Sequence, residues 1–200
     1  ESDSGEILYD GRNFSELDFE GRKVFRQEIG MVFQGGALFD SLNVERNIMF
    51  PLNMFSNMSF AEKRERVNFC LTRVNLPDAS KLMPSELSGG MKKRVAIARA
   101  IATNPKYLFC DEPNSGLDPR TSIIIDNLIK EITEEFDITT VVNTHDMNSV
   151  IEIGDKVVFL FEGKKEWEGT SKDILENEDK ELNDFIFASK LAKALKKQQP

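Results

Sequence analysis

The sequence predicts an α/β fold with a mainly parallel sheet and an inserted helical subdomain. Three observations lead there. Apolar, strand-like runs at residues 29–33, 107–110 and 139–142 are separated by stretches of helical spacing, the alternation that builds a parallel sheet. Each run stops at polar residues: Gln34, Asp111-Glu112 and Asn143-Thr144-His145. Between the first two runs, residues 35–86 show helical spacing and no strand period of their own.

Residues 5–9 read as a strand closed by an Asp10-Gly11 turn. Residues 15–27 suit a short helix. Ile29-Gly30-Met31-Val32-Phe33 is a buried strand, broken by Gly35-Gly36. Val44, Ile48, Met49, Leu52 and Phe55 sit at helical spacing, and Pro51 is expected to kink or end that helix. Ser59 and Glu62 form a capping box. The helix they open carries Val67, Leu71 and Val74 on one face and ends before Pro77. Ser88-Gly89-Gly90 precedes a helical run from Met91 to Thr103. Asp118 caps a helix with Pro119 at its first position and Ile124, Leu128 and Ile132 inward. Asp146 caps a short helix ended by Gly154. Lys156 to Phe161 and Lys165 to Trp167 form a hairpin around Gly163, and the chain is helical from Ser171. The expected domains are an α/β core (1–34 and 87–170), a helical subdomain (35–86) and a C-terminal helical tail (171–200).

The chain has 200 residues, 40% hydrophobic and 30% charged, the balance of one folded domain with room for a sub-lobe. Its net charge of −8 argues against general nucleic-acid binding. The longest clean apolar run, Val157 to Phe161, is five residues, whereas a membrane-spanning helix needs roughly 20. Cys70 and Cys110 lie in apolar surroundings, which suits a reducing compartment and neither a disulfide nor a zinc site. Six acids and one lysine lie between Asp173 and Asp184, and four lysines and no acid between Lys190 and Lys197. That order suits a helix dipole; contact with a membrane surface or a partner is the other reading.

Chemistry concentrates at the strand ends, where ligands of a parallel sheet collect. Adjacent carboxylates Asp111 and Glu112 point to alternate sides. One can hold a hydrated Mg²⁺ while its neighbour faces something else, although alone they read equally as two solvated acids. His145, the only histidine, follows Glu112 by 33 residues, about one helix and one strand. A lone histidine is more often structural. Gln34 offers an amide oxygen to a metal or water and a donor to phosphate. Ser88, Gly89 and Gly90 open a helix with four basic residues and no acid between Gly89 and Ala102. That start can cradle a phosphate or serve simply as a capped helix with a glycine hinge.

In order, Gln34, Leu87-Ser88-Gly89-Gly90, Asp111-Glu112-Pro113, Ser115-Gly116-Leu117-Asp118-Pro119 and Thr144-His145-Asp146 resemble the ATP-binding cassette (ABC) ATPases, from Gly5 to about Gly169. The resemblance implies a P-loop NTPase-like core that binds ATP and Mg²⁺. It implies that Gln34 touches the metal and the attacking water, and that Asp111 is the metal ligand. Glu112 is then the general base, His145 holds the γ-phosphate, and Ser88 and Gly90 face the γ-phosphate bound on the opposite protomer. Asp118 lies where the family's protomers meet, and Met91 stands where many members have Gln. The stretch Phe33-Gln34-Gly35-Gly36-Ala37-Leu38-Phe39-Asp40-Ser41-Leu42-Asn43-Val44, with Phe50-Pro51-Leu52, is similar to ATPases of the Mla (maintenance of lipid asymmetry) importers. The expected protein is thus a homodimeric, peripheral ATPase on the cytoplasmic face of the inner membrane. It would bind a transmembrane permease through residues 34–55 and drive phospholipid-type transport, with no nucleic-acid partner.

One family element is absent from the sequence. No G-x-x-x-x-G-K-[ST] phosphate loop occurs; the only Gly-Lys pair is Gly163-Lys164. The chain also opens at Glu1 without Met and runs directly into a strand-like segment. The family places the loop upstream of that segment, so the chain is expected to be a fragment lacking the N-terminal strands, inactive alone. The alternative is a catalytically dead ABC-like binding module.

Overall fold

Side-chain alternation and local caps set most of the elements. The computed structural model describes residues 3–177 and 179–187. The chain forms two compact units that divide after Asn143.

The first unit starts with a hairpin of β1 (Leu8–Tyr9) and β2 (Arg12–Asn13). Its turn residues Asp10 and Gly11 take φ of 49° and 74°, the left-handed pair that a tight two-residue hairpin requires. Helix α1 (Phe19–Gln27) follows, with the Asp18 carboxylate accepting from the Gly21 N–H. Strands β3 (Ile29–Val32), β4 (Tyr107–Asp111) and β5 (Thr139–Asn143) form a parallel sheet in that order. The register sets Val32 opposite Cys110 and Asp111 opposite Asn143. It also aligns Met31, Phe109 and Val141 in one row, with Met31 43% and Val141 49% exposed.

Helix α2 (Val44–Phe55) was expected to kink or end at Pro51; it does not end there and runs on to Phe55. The proline costs about 3 kcal/mol in a helix interior. Burial of Met49 and Leu52 on either side contributes about 1.5–3 kcal/mol each, enough to keep the last turn. Asn47, fully buried on the same helix, accepts the Phe39 N–H and donates to the carbonyls of Phe39, Leu42 and Asn43, pinning the loop that leads in. The capping box forms at α3 (Phe60–Arg73): the Glu62 carboxylate accepts the Ser59 N–H at 2.6 Å. Between residues 35 and 86 the structure has helices and turns and no strand.

Helix α4 (Gly89–Ala100) crosses the sheet closely. Val95, Ala96, Ile97 and Ala98 are fully buried. A Cβ at Gly30 of β3 would lie 2.5 Å from the Ala100 carbonyl oxygen, so only glycine permits this approach. Helix α5 (Pro119–Glu135) buries Ile125, Leu128, Ile129 and Ile132. Ile124, expected inward, is 50% exposed. The series 124–128–132 steps by four residues, drifts around a 3.6-residue helix, and overshoots the edge of the buried face.

The second unit holds α6 (Met147–Ile153), capped by Asp146 and closed by Gly154. An antiparallel hairpin of β6 (Lys156–Phe161) and β7 (Lys164–Thr170) follows. It turns at Glu162-Gly163. A 3₁₀ turn (Asp173–Glu176) and α7 (Lys180–Ile186), capped by Asp179, are its last described elements. The lysine-rich part of the expected tail lies outside the described residues. Among those described, no helix is long and apolar enough to cross a membrane.

Candidate functional site

Because β3, β4 and β5 run parallel, their carboxyl ends share one edge. Gln34 stands two residues past β3, and its Nε2 donates to Ser115 Oγ at 3.1 Å. Asp111 ends β4, exposed where Leu108 and Cys110 are buried. Asn143 lies opposite Asp111 and donates from Nδ2 to its Oδ1 at 2.8 Å. The Asn143 carbonyl accepts the Glu112 N–H, also at 2.8 Å. Glu112 itself has φ of +46°. A non-glycine residue held there costs of order 1–3 kcal/mol, and such strain clusters at functional sites.

The carbonyl of Glu112 accepts from Lys93 Nζ at 3.2 Å, and the same ammonium donates to the Gln34 carbonyl. Lys93 is only 6% exposed. Burial pushes its ammonium below the usual lysine range, and the Glu112 charge opposes that shift.

Ser88 caps α4, with Oγ accepting the Met91 N–H. A Cβ on Gly90 would lie 2.8 Å from Thr121 Cγ2, whereas one on Gly89 would meet Leu117 Cδ2 at an ordinary 3.5 Å. Thr121 is held by Asp118, which accepts its N–H at 3.0 Å and its hydroxyl. Those bonds, the hydroxyl first, keep the Asp118 carboxyl below the usual range. Thus Asp118 caps α5 and stiffens the residue that packs against Gly90. Gly90→Ala is expected to destabilise the chain by about 1–3 kcal/mol, the range for overpacking. Gly89→Ala should change it by under about 1 kcal/mol. Thermal melts of the two variants check this, and equal losses would contradict it.

The structure therefore brings Gln34, Asp111 and Glu112 to one edge, and sets Ser88, Gly89 and Gly90 on the helix whose Lys93 reaches that edge. His145 is exposed and belongs to the second unit, two residues beyond β5. Sequence reasoning missed Lys93, Asn143 and the contact of Ser115 with Gln34. Lys93 was one cation in the acid-free run, with nothing local to separate it from Lys92 and Arg94.

Burial pushes the Cys110 thiol up to about 12 and the Cys70 thiol to about 11, so neither supplies a thiolate nucleophile near neutral pH. Among the described residues no group of three or more His, Cys, Asp or Glu could hold a metal. The edge instead offers the carboxylates of Asp111 and Glu112 and the amide oxygen of Gln34. Those hard donors fit Mg²⁺, which keeps several waters and shares its shell with substrate phosphates.

An α/β cassette with this edge matches solved ATP-binding cassettes. The dimeric cassette MJ0796 bound to ADP and Pi is 36% identical with a TM-score of 0.75, covering 84% of this chain and 74% of that one. The cbiO1 protein of Clostridium perfringens, part of the transporter complex cbiONQ, is 31% identical with a TM-score of 0.79, covering 96% and 76%. The family model described as ABC transporter matches residues 1–115. The chain belongs to the ABC transporter family, in its ATP-binding component.

Among curated relatives, the methionine import ATP-binding protein MetN 1 of Pseudomonas fluorescens is 41% identical over 174 residues, 87% of this chain and 52% of the relative. The intermembrane phospholipid transport system ATP-binding protein MlaF of Haemophilus influenzae is 38% identical over 184 residues, 92% of this chain and 70% of the relative. The chain thus spans about half the length of the methionine-import relatives it matches.

Proposed function

We propose that this chain is the catalytic part of an ATP-hydrolysing transporter subunit, with residues 1–34 and 87–170 as its core and 35–86 as its helical subdomain. The observation that carries the reading is the Asp111-Glu112 pair, both fastened by Asn143 at the sheet edge beside Gln34. Phosphoryl transfer asks a protein for an oriented water, a metal and donors around the equatorial oxygens. Glu112 is the base that takes the proton of the attacking water. Gln34 orients that water, Ser88, Gly89 and Gly90 donate to the γ-phosphate bound on the opposite protomer, and the family resemblance gives His145 the holding of a γ-phosphate. Asp111 and Gln34 would hold Mg²⁺, which when bound neutralises charge on the phosphates.

The functional unit in this reading is a homodimer meeting through Asp118 and the start of α4, peripheral on the cytoplasmic face of the inner membrane. Its permease contacts residues 34–55, where the Phe39 and Phe50 rings lie 4.7 Å apart and Met54 is 56% exposed. The cargo is a phospholipid-type lipid, supported by the match to MlaF along 92% of this chain and by the residues from Phe33 to Leu52. Methionine import is the second reading, supported by the 41% identity to MetN 1. Since the 200 residues contain no G-x-x-x-x-G-K-[ST] loop, activity is expected of a protein extended upstream through such a loop, and not of these residues alone.

Phosphate release by that extended protein, purified with its membrane partner in detergent and assayed with and without added phospholipid or methionine, tests the reading. Mg²⁺-dependent turnover with co-purifying phospholipid is expected. An extended protein that neither binds nor hydrolyses ATP overturns the enzyme in favour of a binding module. Turnover stimulated by methionine and indifferent to lipid overturns the cargo.

A further inference from the structure

We propose that Lys93 is a positioning residue for hydrolysis: its one buried ammonium ties together the main-chain carbonyls of Gln34 and Glu112, and so aims both side chains. The proposal rests on the ATPase reading above. Its geometry is specific. The peptide before the Glu112 Cα is fixed through its N–H by the Asn143 carbonyl. The peptide after it is fixed through its C=O by Lys93. With both peptide planes held, Glu112 is kept at its positive φ, and the direction in which its Cα–Cβ bond leaves the chain is kept with it.

The same ammonium bonds the Gln34 carbonyl. Six residues further along α4, Arg99 takes up the next two carbonyls of that loop that face the helix. Its two terminal nitrogens each donate at 2.7 Å, one to Gly36 and one to Ala37. Helix α4 thus grips the segment after β3 through two cations and the segment after β4 through one of them. The neighbouring cation does other work: Arg94 reaches back to the carbonyls of Val74 and Asn75. Desolvating an ammonium is costly, and three of the four residues Val95 to Ala98 beside it are alanine or valine. A methionine would fill the Lys93 position without that cost. What it could not supply is the pair of bonds to two separate loops. A shift of the Ser88-Gly89-Gly90 helix start therefore reaches both Gln34 and Glu112 through Lys93.

The test uses the upstream-extended protein with Lys93→Met, which keeps length and apolar stem and has no donor, and Lys93→Gln, which is shorter and uncharged but keeps two N–H donors. Steady-state ATP turnover gives kcat and KM, and a fluorescent ATP analogue gives Kd. For Lys93→Met, kcat is expected to fall at least about tenfold with KM and Kd within about twofold; Lys93→Gln should fall between it and the parent. Unchanged kcat in both variants overturns the inference. So does a parallel loss of kcat and nucleotide binding, or a failure of both variants to fold, since either marks a purely structural lysine. A parent protein without turnover overturns the ATPase reading itself, and this inference with it.

Discussion

Replacing Glu112 by glutamine in the upstream-extended protein is expected to lower ATP turnover at least about a hundredfold while ATP still binds. The size follows from the usual contribution of a positioned general base, about 10²–10⁴-fold. Glutamine has nearly the same shape. The bonds that hold the residue in its left-handed conformation run through its main chain, to Asn143 and Lys93. The variant therefore keeps its place and loses only the charge and the basic oxygen. Phosphate release and nucleotide binding, measured on the same preparation, check this. Turnover within threefold of the parent would remove Glu112 from the proton-transfer step, and a matching loss of binding would make it a structural residue.

The second large effect is on stability. Gly30→Ala is expected to destabilise the chain by about 3 kcal/mol, at the upper end of overpacking costs. The added methyl would lie 2.5 Å from the Ala100 carbonyl oxygen and 3.2 Å from Leu108 Cδ1. A backbone carbonyl at the end of a helix cannot swing aside as a long side chain does. Relief requires α4 to lift from the sheet, and that would disturb Lys93 and the edge it serves. Gly35→Ala, with nothing within 4 Å of the new Cβ, should cost under about 0.5 kcal/mol. Urea denaturation of the two variants reads the contrast, and similar midpoints would refute the tight α4–β3 approach.

What was legible in the sequence were the local signals. Ser59 with Glu62, Asp118 with Pro119, and Asp146 with Gly154 mark helix ends through contacts made within a few residues. Strand ends show as apolar runs stopping at Gln34, Asp111 and Asn143, and a parallel topology brings those ends together. Features set by packing were not legible. Pro51 stays helical because Leu52 is buried beyond it. Ile124 turns outward because the buried face follows 3.6 residues per turn and not four. Lys93 is indistinguishable in sequence from Lys92 and Arg94, and only its insertion between two loops separates it. Asn143 looked like one more polar strand end; the β4–β5 register places it opposite Asp111.

The row of Met31, Phe109 and Val141 bears on how the chain behaves in the test tube. Parallel sheets are ordinarily sheltered on both faces, yet here the two outer members of the row stand 43% and 49% open to water. Water wets such a stripe poorly, and two chains that meet stripe to stripe lose contact with it. Loss of monodispersity is then expected to grow with concentration, because the contact needs two chains. Dilute handling, or a mild detergent that coats the stripe, is the natural condition for working with these 200 residues.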